Sequence, residues 1–176
     1  FQELDRYSQH SYQAVVDEFL HPEQQPAIEE DLIERYFIDW KESRNVEGAL
    51  TESVYRMNAD AGGRPLQEKI ALFWHQVFAT GLAKVLHEKT MLNQIDLFRE
   101  HGLGNFRDLL VGLAKDPAMI FWLDNNENHK TEINENFGRE LLELFSMGVG
   151  NYTEDDIKSA SRAFTGWTFR QPLSIY

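Results

Sequence analysis

The chain has no cysteine among its 176 residues. That absence excludes disulfides, thiolate nucleophiles, iron–sulfur clusters and cysteine-ligated zinc within this sequence. Positive charge is also short: 17 Lys and Arg stand against 29 Asp and Glu, a formal net charge of −12. Neutralising phosphates takes Lys and Arg gathered on one face, and no basic run is present, so nucleic acid is not an expected partner. The plain role of so much acid is a solvated face that aids solubility; cation binding is the alternative. No run of about 18 apolar residues occurs and no signal peptide is visible, so no membrane span is expected here.

Several reaction motifs are missing as well. There is no G-x-S-x-G, Ser146 and Thr165 have no activating neighbour, and no phosphate loop can be found. H-E-x-x-H is absent, and Glu18 with His21 has the E-x-x-H spacing once, immediately before Pro22 ends the helix. A zincin or four-helix di-iron site is therefore not expected.

What is present reads as helix almost throughout. At 42% hydrophobic the chain can bury a core of its own. Apolar groups recur at helical spacing over residues 4–20, up to His21-Pro22, and again over 26–40, through Ile28, Leu32, Ile33, Tyr36, Phe37 and Trp40. Polar residues 41–47 read as a loop. A helix near 49–58 is followed by a break over 61–64, and Pro65 suits the first turn of the next helix, which carries Leu66, Ile70, Leu72, Phe73, Trp74, Val77 and Phe78. Two more helices are expected over 91–99 and 105–113, then a short one over 119–123 started by Asp116-Pro117. Thr153 with Asp156 reads as a capping box for a helix over 154–164. The fold expected is all-α, an irregular bundle of about eight or nine helices, with an extended segment near 165–170.

The densest information lies in residues 134–148, N-E-N-F-G-R-E-L-L-E-L-F-S-M-G. Read as a helix ending at Gly148, this stretch places Glu135, Arg139 and Glu143 four apart on one stripe and Asn136 and Glu140 on the next. Leu141, Leu142, Leu144 and Phe145 are expected to face the core. Polar residues 124–133 read as a surface loop, since so many Asn and charged groups are hard to satisfy inside.

The ordered segments Pro65-Leu66-Gln67-Glu68-Lys69, Phe73-Trp74-His75-Gln76-Val77-Phe78-Ala79-Thr80, Gly104-Asn105-Phe106-Arg107, Asp116-Pro117-Ala118-Met119, the 134–148 stretch, Asn151-Tyr152-Thr153-Glu154-Asp155-Asp156-Ile157 and Arg162-Ala163-Phe164-Thr165-Gly166-Trp167 closely resemble the bacterial domain-of-unknown-function family 1800. The resemblance is strongest over about residues 50–170 and weaker before them. Members of that family are usually several hundred residues long and have no established reaction. The resemblance thus implies a largely helical bacterial protein, of which this chain is an internal piece, and a set of motif positions. It also implies a protein partner, because the family's genes often lie beside those of an uncharacterised family resembling alkaline-phosphatase-like enzymes. Residues 1–176 are expected to form one helical domain or part of a larger one, with N-terminal helices over 1–48 and the family-like core over 49–176.

Residue chemistry supplies the site expectations. Arg139 is placed to bridge Glu135 and Glu143, which on an exposed helix is worth only about 0.2–0.5 kcal/mol per pair and otherwise ties helices in register. The functional alternative makes Glu135, Glu140 and Glu143 acid/base or metal-binding carboxylates, with Asn134 and Asn136 orienting a ligand and Arg107 and Trp167 in the surrounding network. His75, between Trp74 and Gln76, is expected to be partly buried with a defined hydrogen-bond partner, and its alternative role is a ligand or general base. Thr165-Gly166-Trp167 is expected to turn and dock Trp167 into the core. Counting from Asp124 as position 1, Asn126, Asn128, Lys130, Glu132 and Glu135 fall at positions 3, 5, 7, 9 and 12 of an EF-hand-type calcium loop. His129 stands where that loop needs glycine, so calcium (Ca2+) at Asp124, Asn126, Asn128, Glu132 and Glu135 competes with an Asn-rich loop that caps its own backbone and the following helix.

The function expected is a helical binding or scaffold module, or a subunit of a larger complex, with a polar cleft around the 134–148 helix. Its competitor is a metal-assisted or carboxylate-based hydrolase of a cell-envelope or extracellular polymer. The compartment is left open, the cell envelope and export among the options.

Overall fold

Local capping chemistry sets most of the helix starts. The Oδ1 of Asn45 accepts from the N–H of Gly48 at 2.8 Å, the Oδ2 of Asp116 from Met119 at 2.8 Å, and the Oγ1 of Thr153 from Asp156 at 3.3 Å, with Asp156 returning the bond to the N–H of Thr153 at 2.9 Å. Each satisfies a donor that the first helical turn leaves without an internal acceptor.

A computed structural model describes residues 2–25, 34–36, 44–58 and 63–169. Among the described residues there are ten α-helices: α1 Gln2–Ser8, α2 Tyr12–Leu20, α3 Val46–Arg56, α4 Pro65–Val77, α5 Leu82–Val85, α6 Glu88–His101, α7 Phe106–Lys115, α8 Pro117–Trp122, α9 Asn136–Glu143 and α10 Glu154–Ala163. Two 3-10 turns, Pro22–Gln24 and Asn125–Glu127, accompany them. The fold is all-α; the described residues hold no strand, only an isolated bridge between His129 and Glu132. No helix among them is long and apolar enough to cross a membrane.

Several boundaries depart from expectation. The single helix expected over 4–20 breaks before Tyr12, because Ser11 turns extended and its hydroxyl accepts from the N–H of Ala14 at 3.2 Å. The loop expected over 41–47 gives way to helix at Val46, where Asn45 caps. The helix expected over 26–40 lies, apart from residues 34–36, outside the described residues, as do 41–43 and residues 61–62 of the expected break. The short helix α5 was not legible at all. At 165–169, Gly166 turns with φ +81° and no strand follows.

The chain divides into two compact units, Phe1–Ala79 with His87–Leu109, and Thr80–Leu86 with Leu110–Tyr176. In the first, α4 and α6 are sewn together: the indole Nε1 of Trp74 donates to the carbonyl of Gly102 at 2.9 Å and Gln67 Nε2 to that of Arg99 at 2.9 Å. Gly102 permits this approach, since a β-carbon there would sit 2.8 Å from Trp74 Cδ1. The rings of Trp74, Phe78 and Phe98 stack at centroid spacings of 5.5 and 5.9 Å.

A buried ionic network joins α3, α4 and α6. Arg99 grips Glu68 with two hydrogen bonds, Nε to Oε2 at 2.9 Å and Nη2 to Oε1 at 2.8 Å, while both side chains are almost fully buried. Ser53 donates to Glu68 Oε1 at 2.6 Å, Arg56 pairs with Glu52 at 2.7 Å, and Arg99 reaches Asp96 at 2.8 Å. Arg44 also pairs with Asp96. Burial alone would push the Arg99 guanidinium down, but the bonds and charge of Glu68, with Glu52 and Asp96, hold it above its ordinary value.

In the second unit Ala118, Met119, Ile120, Phe137 and Ile157 are buried. The rings of Phe137 and Phe164 meet edge to face at 4.7 Å, joining α9 to α10. Lys84 of α5 donates to the carbonyl of Trp122 and to Asp124 Oδ1, both at 2.7 Å.

Candidate functional site

The loop before α9 is organised by one side chain. Asn128 is fully buried; its Nδ2 donates to the carbonyl of Ser161 on α10 at 2.8 Å and to Asn125 Oδ1 at 3.2 Å. Its Oδ1 accepts from the N–H of Asn134 at 3.1 Å, and its carbonyl from Gly166 at 2.9 Å. One amide thereby ties together the loop, the approach to α9, the end of α10 and the turn beyond it. Asn134 continues the pattern, its Oδ1 accepting from the N–H of Asn136 at 2.9 Å. The loop caps its own backbone and the next helix, as the Asn-rich reading requires. It is not wholly a surface loop, because Asn125 and Asn128 are buried.

The same bonds engage part of the residue set that the calcium pattern names. Asp124 is paired with Lys84 at 2.7 Å, Asn128 has spent its oxygen on Asn134, and Glu135 is bonded to Arg139 at 3.4 Å, while Asn126 donates its Nδ2 to Glu127 at 2.7 Å and keeps its Oδ1 buried without a partner. Residues 125–127 coil into a 3-10 turn, and His129 and Glu132 exchange two backbone hydrogen bonds of 3.0 Å, so Lys130 heads a tight turn. The described residues contain no group of three or more His, Asp or Glu placed to hold a metal ion.

Within the second unit an open concavity of about 390 Å³ lies at this junction, lined by Glu127, His129, Glu132, Ile133, Asn134 and Glu135. Its walls are largely polar, and three of the six lining residues are glutamates.

The α9 stripe is wired differently from its spacing. Arg139 bridges Glu135 and, with two bonds of 3.1 and 3.0 Å, Glu154 at the start of α10; it makes no ion pair with Glu143. Glu143 instead accepts from the Tyr152 hydroxyl at 2.7 Å. The bond to Glu154 raises Arg139 above its ordinary value and lowers Glu154, and the bond to Glu143 raises Tyr152. The Glu140 carboxylate has no hydrogen-bond or ion-pair partner among the described residues. Burial, and next the charge of Glu143, raise its carboxyl above the usual range, with Arg139 opposing. Asn136 is exposed.

The helix is also shorter than expected. It ends at Glu143, Leu144 is 63% exposed rather than core-facing, and Phe137 and Gly138 are its buried residues beside Phe145 of the following turn. Gly148, at φ +79°, closes that turn by donating to the carbonyl of Leu142 at 3.0 Å.

His75 belongs to the first unit. It is half-buried against Phe98, ring centroids 6.3 Å apart, and burial lowers its pKa and keeps it neutral at pH 7. The expected hydrogen-bond partner is missing at Nδ1, which is buried without one. Arg107 is exposed, and its backbone N–H donates to Asn105 Oδ1 at 2.9 Å. Trp167 does not dock as expected; it keeps 39% of its surface, while Phe169 packs edge-on against Phe121 at 5.9 Å.

Sequence reasoning missed Tyr152 and Glu154 as partners of α9. The capping box at Thr153 fixes Glu154 in the first turn of α10, which was the available signal.

One family model, described as Protein of unknown function (DUF1800), matches residues 1–174. No curated protein and no solved structure matches the chain.

Proposed function

The chain belongs to this family of unknown function, and from that premise we propose that it is a helical binding module whose ligand sits in the concavity before α9. The observation that carries this reading is the concavity itself, about 390 Å³ and walled by Glu127, His129, Glu132, Ile133, Asn134 and Glu135. Its backbone is fixed by Asn128, so a ligand meets polar groups whose ordering cost is already met. Three carboxylates around one hollow favour a ligand carrying an amine or guanidinium. Titrating isotope-labelled chain with spermidine tests this. Saturable shifts over residues 127–135, weakened in a Glu132→Gln/Glu135→Gln variant, are expected; absence of localised shifts would reject the reading.

A second reading, a carboxylate-based hydrolase of an envelope or extracellular polymer, draws support from Glu140. A half-buried carboxyl with a raised pKa beside Glu143, itself held by Tyr152, suits general acid chemistry. Hydrolysis of a polymer panel, lost in Glu140→Gln, is its test.

A further inference from the structure

We infer that the surface formed by half-buried Glu140 with exposed Leu144 and Met147, at the opposite end of α9 from the concavity, docks a partner segment carrying apolar side chains beside a lysine or arginine. The inference goes beyond the ligand cleft and uses none of its residues.

The apolar half of the surface is displayed on a tied backbone. Leu144 and Phe145 both donate to the carbonyl of Glu140, at 2.9 and 3.0 Å, and Met147 and Gly148 both donate to that of Leu142, at 2.9 and 3.0 Å. Ser146 Oγ donates to the carbonyl of Leu141 at 2.6 Å, and Asn151 Nδ2 to that of Met147 at 2.8 Å. Phe145 is buried and anchors the turn from inside. Gly148 and Gly150 hold φ values of +79° and +87°, conformations that glycine adopts without strain, and present Val149 between them. On this frame Leu144, Met147 and Val149 remain 63%, 49% and 75% exposed. A turn with so many backbone bonds that spends leucine, methionine and valine on solvent is an interaction surface in form. Methionine adapts to varied partners.

The charged half identifies the partner's chemistry. Glu140 stands one helical turn before Leu144, on the same face. Its sequence neighbour Arg139 is engaged by Glu154 and Glu135, and Glu143 is held by Tyr152. Glu140 therefore offers a carboxylate that makes no ion pair among the described residues, on a chain of net charge −12. A partner's Lys or Arg supplies that charge while its apolar neighbours cover Leu144 and Met147.

The test uses a synthetic amphipathic peptide with leucines and lysines on one face, and the same peptide with glutamate in place of lysine. With isotope-labelled chain, saturable amide shifts centred on Glu140, Leu144 and Met147 are expected. The glutamate peptide, Leu144→Ser and Glu140→Gln should each weaken binding by about tenfold, the scale of one lost anchor. Glu132→Gln, which alters the concavity, should leave peptide affinity unchanged, so the two sites fail or stand separately. Shifts scattered over the acidic surface, or affinity indifferent to Leu144→Ser, would overturn the inference. Self-association of the chain abolished by Leu144→Ser would overturn it too, assigning the surface to a second copy.

Discussion

Gly138 on α9 lies directly against Ser161 on α10: a β-carbon at Gly138 would overlap the Ser161 hydroxyl and stand 2.9 Å from the Ser161 backbone nitrogen. An exposed helix would gain about 1 kcal/mol from glycine to alanine. Here the backbone is in the way, so Gly138→Ala should destabilise by about 1–3 kcal/mol, the cost of overpacking. Ser161→Gly should relieve only the hydroxyl part. Urea denaturation of the single and double variants checks this, and a stabilised Gly138→Ala would show the crossing to be looser.

Asn128→Ala should be costlier than its place in a polar loop implies. It strands the part-buried N–H of Asn134, a group worth about 1–3 kcal/mol when left without a partner, and leaves the Ser161 carbonyl with only the N–H of Phe164 at 3.2 Å. Asn128→Asp keeps the acceptor and loses the donor, so an intermediate loss is expected in the same denaturation experiment.

The Arg99–Glu68 pair tests how the first unit is held. Arg99→Met alone leaves Glu68 buried and unpaired, and should cost about 3–5 kcal/mol. Replacing both by methionine should recover much of that loss. Thermal unfolding of the two variants decides it; equal destabilisation would mean that the wider network with Glu52 and Asp96 matters more than the pair.

Glu140 gives stability a pH dependence. Its folded-state pKa is raised above the ordinary 4.5, so the folded state holds the proton longer than the unfolded one. No penalty exists below the ordinary value; stability falls as pH rises from there through the folded value, and the penalty is complete above it. Glu140→Gln removes this ionisation, so its Tm relative to the parent should rise with pH across that window. A pH-independent difference would contradict the burial of Glu140.

What the sequence made legible was local. Asp116 and the Thr153–Asp156 box cap within a few residues, and the helices they start were readable on that account, whereas the cap at Asn45 was read as loop. Glu68 and Arg99 are 31 residues apart, and no periodicity joins them. Spacing within one helix favours Glu143 for Arg139, but tertiary placement of α10 brings Glu154 closer. The calcium pattern shows the same limit: Asn at positions 3 and 5 suits ion ligation and backbone capping equally, and the bond from Asn134 to Asn128 Oδ1 is a tertiary detail that spacing does not reveal. Glu140 was readable as the carboxylate left over from the Arg139 ladder, because that argument needed only helical register.

The most direct test of the binding account is calorimetry of spermidine with the parent chain and with Glu132→Gln/Glu135→Gln, at low and at physiological salt. The account expects saturable heat that weakens with salt, as screened charge requires, and falls by about tenfold in affinity in the double variant. Heat unchanged by the double substitution, or no saturable heat in the parent chain, would contradict it.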